Sequence, residues 1–251
     1  MSRFLTLLAR EISSYFRSPI AYTVLVFFLV ITGFNFYAGV SVLNRMPSEA
    51  TVVEAFFNTV FFWFPFVLVF PLLTMRLFSE EYKMGTIEPL MTAPVRDLEV
   101  VLSKYCGALL FYVILWLPSL LYFVIFQWQT AQTAGDAAGS YLGGYAMLLL
   151  LGMFYLSVGC LASALTNNQI VAAIISFVLI TLMFFMGLLT IFILNVSPFL
   201  RELTSYLSAL EHMMEFSQGI FDTRPVVFYL SMTFFTLFLT FQAFQRRKWA
   251  S

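Results

Sequence analysis

The side chains able to do chemistry are few, and many of them lie in one segment. The 251 residues contain 13 Lys or Arg, 13 Asp or Glu, one His and two Cys. Eight of those charges fall together: Arg76, Glu80, Glu81, Lys83, Glu88, Arg96, Asp97 and Glu99. Gly85 and Thr86 sit among them. Such a cluster suits ionic docking on a partner; a solvated loop whose charges only set topology is the plainer alternative. A metal centre finds no support, because His212 stands alone and no C-x-x-C or Cys/His cluster occurs. Cys106 and Cys160 lie in apolar stretches and read as small buried residues rather than a disulfide framework.

Stepping from that segment to the rest of the chain, 61% of residues are hydrophobic, 19% aromatic and only 10% charged, with a mean hydropathy of +0.90. A soluble domain carries about 25% charged residues, and a soluble fold of this length could not hide so much apolar surface. The composition excludes an ordinary globular enzyme and a disordered chain. The balance of charge excludes a nucleic-acid binder, which needs a basic excess. The expected solvent is the bilayer.

Charge at the bilayer centre costs roughly 3 kcal/mol or more, so uncharged runs mark the spans. Residues 18–44, 55–75, 105–135, 137–200 and 225–245 form such runs. A span needs about 20 residues. The run 137–200 fits two, with a turn at Thr166-Asn167-Asn168-Gln169. The expected fold is all-α and polytopic, a single domain over 1–251 with six transmembrane helices near 20–43, 55–76, 102–127, 143–165, 169–194 and 226–245. Continuously apolar stretches such as 24–31 and 170–182 argue against a barrel, whose strands alternate. Six spans place both termini on one side. With the termini inside, ten basic residues are cytoplasmic and three (Arg45, Arg201, Arg224) are outside, so the positive-inside rule predicts cytoplasmic termini.

Four other segments complete the plan. Residues 1–17 read as an interfacial helix, with Phe4, Leu5, Leu8, Ile12, Tyr15 and Phe16 recurring at helical spacing and Arg3, Arg10 and Arg17 recurring every seven residues toward headgroups; a helix packed on a partner protein with its arginines solvated is the alternative. Residues 79–94 read as a short cytoplasmic helical segment. Gly85 ends its first turn, Thr86 caps a second, Ile87, Leu90 and Met91 share a face, and Pro94 stops it. Residues 195–225 predict an outer amphipathic helix over about 200–216, in which Leu203, Leu207, Leu210 and Met214 are candidates for an outer gate and His212 is an ordinary surface or interface residue. Residues 129–141 read as a flexible connector. Within the second span, Phe61, Phe62, Trp63 and Phe64 are candidates for a substrate path, against the plainer role of lipid contact. Small residues of the fourth span, Gly152, Ser157, Gly159, Ala162 and Ser163, permit close helix packing, some of it between molecules.

The membrane interior is expected to hold no ionisable residue, which argues against ion-coupled carriage and intramembrane hydrolysis. No G-x-x-x-x-G-K-[ST] loop occurs. No catalytic residue is assigned, so any transport must draw its energy from a separate ATPase.

The segment Phe78-Ser-Glu-Glu-Tyr-Lys-Met-Gly-Thr-Ile-Glu-Pro-Leu-Met-Thr-Ala-Pro-Val95 and the order of elements resemble the permease subunits of the ABC-2 family of ATP-binding-cassette transporters. The resemblance is strongest to the gliding-motility and copper-enzyme-maturation permeases. It implies that 79–94 is a coupling helix seated in a cleft of a P-loop ATPase, with Glu80, Glu81, Gly85, Thr86 and Glu88 carrying the coupling. It also implies a second permease chain, identical or related, surrounding membrane lipid, and location in the inner cell membrane. ATP and Mg belong to the partner, and this chain binds no cofactor. The alternative function is a non-transporting anchor that couples an ATPase to an envelope or motility complex.

Overall fold

The computed structural model describes residues 3–45, 51–87, 95–130, 138–192 and 204–250, and among these the regular structure is entirely helical. Among the described residues, ten helices of six residues or more follow in chain order. They are α1 (Arg3–Arg17), α2 (Pro19–Arg45), α3 (Val52–Phe57), α4 (Val60–Thr74) and α5 (Ser79–Met84), then α6 (Asp97–Thr130), α7 (Ala138–Leu165), α8 (Gln169–Phe192), α9 (Ala209–Ser217) and α10 (Thr223–Ala250). Among the described residues, six stretches are long and apolar enough to cross a membrane: Pro19–Asn44, Phe61–Met84, Asp97–Trp128, Ala138–Leu165, Gln169–Gly187 and Thr223–Arg247. The chain is a multi-pass membrane protein.

Helix α7 is the centre of the bundle. Its small residues let neighbouring side chains reach its backbone: Tyr112 of α6 lies over Gly152, and Thr74 at the end of α4 lies over Gly159. The Ser157 hydroxyl pairs with that of Thr236 on α10. The small-residue stripe is thus filled from within the molecule, not reserved for another chain. By contrast α2, α8 and α10 turn large apolar side chains outward, among them Val26, Val30, Ile170, Ile174, Leu182, Phe234 and Phe235. Such exposure suits lipid, not water.

The second expected span, 55–76, is occupied by two helices. Thr51 caps α3 through a reciprocal capping box with Glu54. The chain breaks at Asn58 and restarts at Thr59. Buried Asn35 of α2 donates to the Phe56 carbonyl at 2.9 Å, and Asn58 donates to the Ser217 hydroxyl at 3.2 Å. Polar groups on two other elements, α2 and α9, therefore hold this break. Helix α4 contains Pro65 and Pro71 and spans only 15 residues. It continues through helical turns at 75–78, which recover the length a bilayer crossing needs, and leads into α5.

Candidate functional site

Helix α5 is short, and a six-residue helix has almost no stability of its own. Its neighbours hold it at both ends and on two faces. At its start, the Ser163 hydroxyl of α7 accepts from the N–H groups of Phe78 (3.0 Å) and Ser79 (3.2 Å) and donates to the Met75 carbonyl at 3.2 Å. That single side chain serves donors which a helix N-terminus otherwise leaves unpaired. At its end, Gly85 adopts φ +69°, the left-handed cap that glycine takes most readily.

The acidic pair points back into the protein. Glu80 accepts from Arg76 in a two-pronged pairing, Nε at 2.7 Å and Nη2 at 3.0 Å, while Nη1 of the same guanidinium donates to the Ser18 hydroxyl at the α1–α2 junction. Glu81 meets Lys104 of α6 at 2.8 Å, and Lys104 meets Glu11 of α1 at 3.0 Å. The Lys104 side chain is 2% exposed. Arg10 of α1 lies 3.8 Å from Glu81. One buried cation therefore fastens α1, α5 and α6 together. Gly107, one turn along α6, makes room for α1, since a Cβ there would stand 2.9 Å from the Glu11 Cβ.

The other end of α10 reaches the same place. The Arg247 guanidinium lies over the Tyr82 ring at 4.4 Å and bonds Asn167 in the α7–α8 turn. Phe78 is fully buried against Phe244 at 5.8 Å. Tyr15 of α1 stacks on Phe111 at 4.9 Å and donates to the Leu73 carbonyl at 2.8 Å, and burial raises its phenol above the ordinary range. Helix α1, the α4–α6 connection, the α7–α8 turn and the end of α10 thus share one end of the bundle.

What remains exposed is the tip, Lys83-Met84-Gly85-Thr86. Ile87 returns to the core. Glu88, Leu90, Met91 and Pro94, and with them the second helical turn expected from the sequence, lie outside the described residues. The five residues assigned to coupling are therefore not equivalent: Glu80 and Glu81 are fastened inward, Gly85 and Thr86 face outward, and Glu88 is not described.

Lys104 and Glu11 were not among the sequence candidates. The expectation that charge lies outside the spans is corrected at Lys104, which lies buried inside the long helix α6. The burial is tolerated because two carboxylates surround the ammonium. Glu11 likewise departs from its helix: it faces inward, although the expected polar face of α1 points to headgroups. Its one sequence signal is position, an acidic residue placed outside the arginine stripe of Arg3, Arg10 and Arg17.

The aromatic candidates do not share a surface. Phe62 and Trp63 are buried in the aromatic core beside Trp116 and Phe184, while Phe61 (46%) and Phe64 (58%) are exposed on the exterior. At the opposite end, α9 spans Ala209–Ser217 and buries Ala209, His212, Met213 and Phe216. Leu207 and Leu210 are half-buried, Met214 is exposed, and Leu203 lies outside the described residues. His212 is buried, not on the surface, and holds an interhelical contact: its Nδ1 lies 3.1 Å from the Tyr229 hydroxyl, and burial lowers its pKa from the ordinary 6.5. Among the described residues, no group of His, Cys, Asp or Glu could hold a metal ion, and both cysteines are free.

Six membrane-crossing helices with a charged, fastened segment at one end define a polytopic transport-type membrane component. Residues 11–183, more than half of the chain, match the family described as ABC-2 family transporter protein, and the chain belongs to that family. No curated protein matches the chain significantly. The family consists of transporter membrane components, and membership implies partnership with an ATP-binding subunit.

Proposed function

We propose that the chain is the permease subunit of an ATP-driven transporter, paired with a second permease chain and powered by a separate P-loop ATPase with its ATP and Mg. The exposed tip Lys83–Thr86 seats on the ATPase. Glu80 and Glu81 do not make that contact; they fasten the tip to Arg76, Lys104 and, through Lys104, to Glu11. A push on the tip then displaces α1 and α6 together instead of unwinding a short helix. The observation that carries this reading is the Glu11–Lys104–Glu81 cluster, which joins three elements through one buried ammonium. The shared end holds most of the basic residues, which supports cytoplasmic termini in the inner membrane.

The test is co-purification with the ATPase and site-directed cross-linking. A Met84→Cys variant should cross-link to the ATPase, whereas Cys placed at exposed Phe64 should not. Absence of any cross-link from residues 83–86 in an intact complex would remove the docking assignment.

A further inference from the structure

Beside the ionic cluster lies a cavity of about 300 Å³ between α1, the start of α2 and the α4–α5 junction. Its polar wall includes Arg10, Ser14, Ser18, Arg76, Glu80 and Glu81. A second cleft of about 430 Å³ lies between α2, α4 and α8, and its lining is almost wholly apolar: Phe27, Leu68, Pro71, Ala173, Ile174 and Phe177. Val24 and Leu72 line both, so the polar cavity and the apolar cleft adjoin across these two side chains. Both volumes are of the size that binds small ligands. Ile174 and Phe177 are exposed on the bundle exterior, so the cleft is open sideways toward the membrane. From Pro19 to Phe27 a helix rises about 12 Å, close to half of the roughly 30 Å hydrocarbon core. The combined space matches one amphiphile of a single leaflet, with its head at the membrane surface and a chain along α2.

The charges select the head. Arg10 is 55% exposed, and its ion pair among the described residues is the 3.8 Å approach to Glu81, which leaves guanidinium donors for a phosphate. Glu80 and Glu81 both line the cavity, so its wall offers carboxylate oxygens to a donor. Arg10, Arg76 and Lys104 balance Glu11, Glu80 and Glu81 around the cavity. An anionic phosphoglycerol head would add negative charge beside three carboxylates. A choline head has no N–H to offer. An ethanolamine phosphate is neutral overall and carries both a phosphate and a three-donor ammonium. We propose that this cavity and cleft bind one phospholipid with an ethanolamine phosphate head, the phosphate on Arg10, the ammonium toward Glu81 and one acyl chain between α2, α4 and α8. This site is independent of the ATPase assignment.

The test is native mass spectrometry of the purified full chain titrated with ethanolamine, choline and glycerol phospholipids of identical chains. The ethanolamine lipid should form a one-to-one adduct with about tenfold preference over the other two. Arg10→Gln should weaken that adduct by a similar factor, and Ala173→Trp, which fills the cleft without touching the ionic cluster, should abolish it. Soluble glycerophosphoethanolamine should fail to displace the lipid. Equal binding of all three lipids, an adduct unchanged in both variants, or displacement by the soluble head alone would each overturn the proposal.

Discussion

The two ends of the bundle are held by different physics. At the end that carries α5, ion pairs and a cation over an aromatic ring join α1, α5, α6 and α10. At the opposite end, α9 is held by a neutral His212–Tyr229 contact and by aromatic and glycine packing, with Phe216 set against Gly143 of α7. Charge-assisted bonds are directional and can be exchanged for others; close packing of rings and backbone resists small displacements. On the proposed function, the first end would transmit a push and the second would stay closed against it.

The strongest way to break this contrast is to remove the cation. Lys104→Met leaves Glu11 and Glu81 buried without a counter-charge and should destabilise the protein by about 3–5 kcal/mol, read as a lowered midpoint of thermal unfolding in detergent. Combining it with Glu11→Gln and Glu81→Gln should recover much of the stability while ATPase coupling stays lost. Recovery of both would mean that the cluster only holds the fold.

The packed core is tested next. Gly159→Val would drive a side chain into Thr74, and overpacking of this kind costs about 1–3 kcal/mol. It should lower thermal stability with no change in the salt dependence of unfolding, whereas the Lys104 variant should change both.

A smaller loss is expected at the tip. Gly85 has open space around it, so substitution strains only the backbone. Gly85→Val should cost about 1–2 kcal/mol locally and uncouple ATP hydrolysis while membrane insertion is unchanged. Gly85→Asn, which tolerates the left-handed region, should keep most coupling.

The smallest effect belongs to His212. Its pKa is lowered by burial in the fold, so the unfolded state takes up a proton first as pH falls. The associated stability is complete above the ordinary value of 6.5 and declines below it, by at most about 1.4 kcal/mol per pH unit. His212→Gln should flatten thermal stability between pH 7 and 5, and an unchanged pH slope would place the titration elsewhere.

The six crossings were legible because the cost of charge in lipid leaves uncharged runs in the sequence, and the turn at 166–168 was legible because Asn and Thr interrupt an apolar stretch. The break at Asn58 was not, because Asn35, far away in α2, stabilises it. The partners of the charged segment were hidden for the same reason. Glu11 and Lys104 lie 93 positions apart, and a lysine at the end of an apolar run reads as a topology signal whether or not carboxylates surround it. The acidic pair itself was visible as a cluster; that it faces inward follows from Arg76 and Lys104, which only the tertiary arrangement brings to it.

The central claim is that α1 and the coupling tip move as one body through Lys104. Spin labels at exposed Thr6 and Lys83, with Cys106 and Cys160 replaced by Ala, would report their separation by pulsed electron resonance in the complex with its ATPase. The account predicts a narrow distance distribution, unchanged by ATP, that broadens in Lys104→Met. A distribution that shifts on ATP binding in the parent protein, or that is indifferent to loss of Lys104, would contradict it.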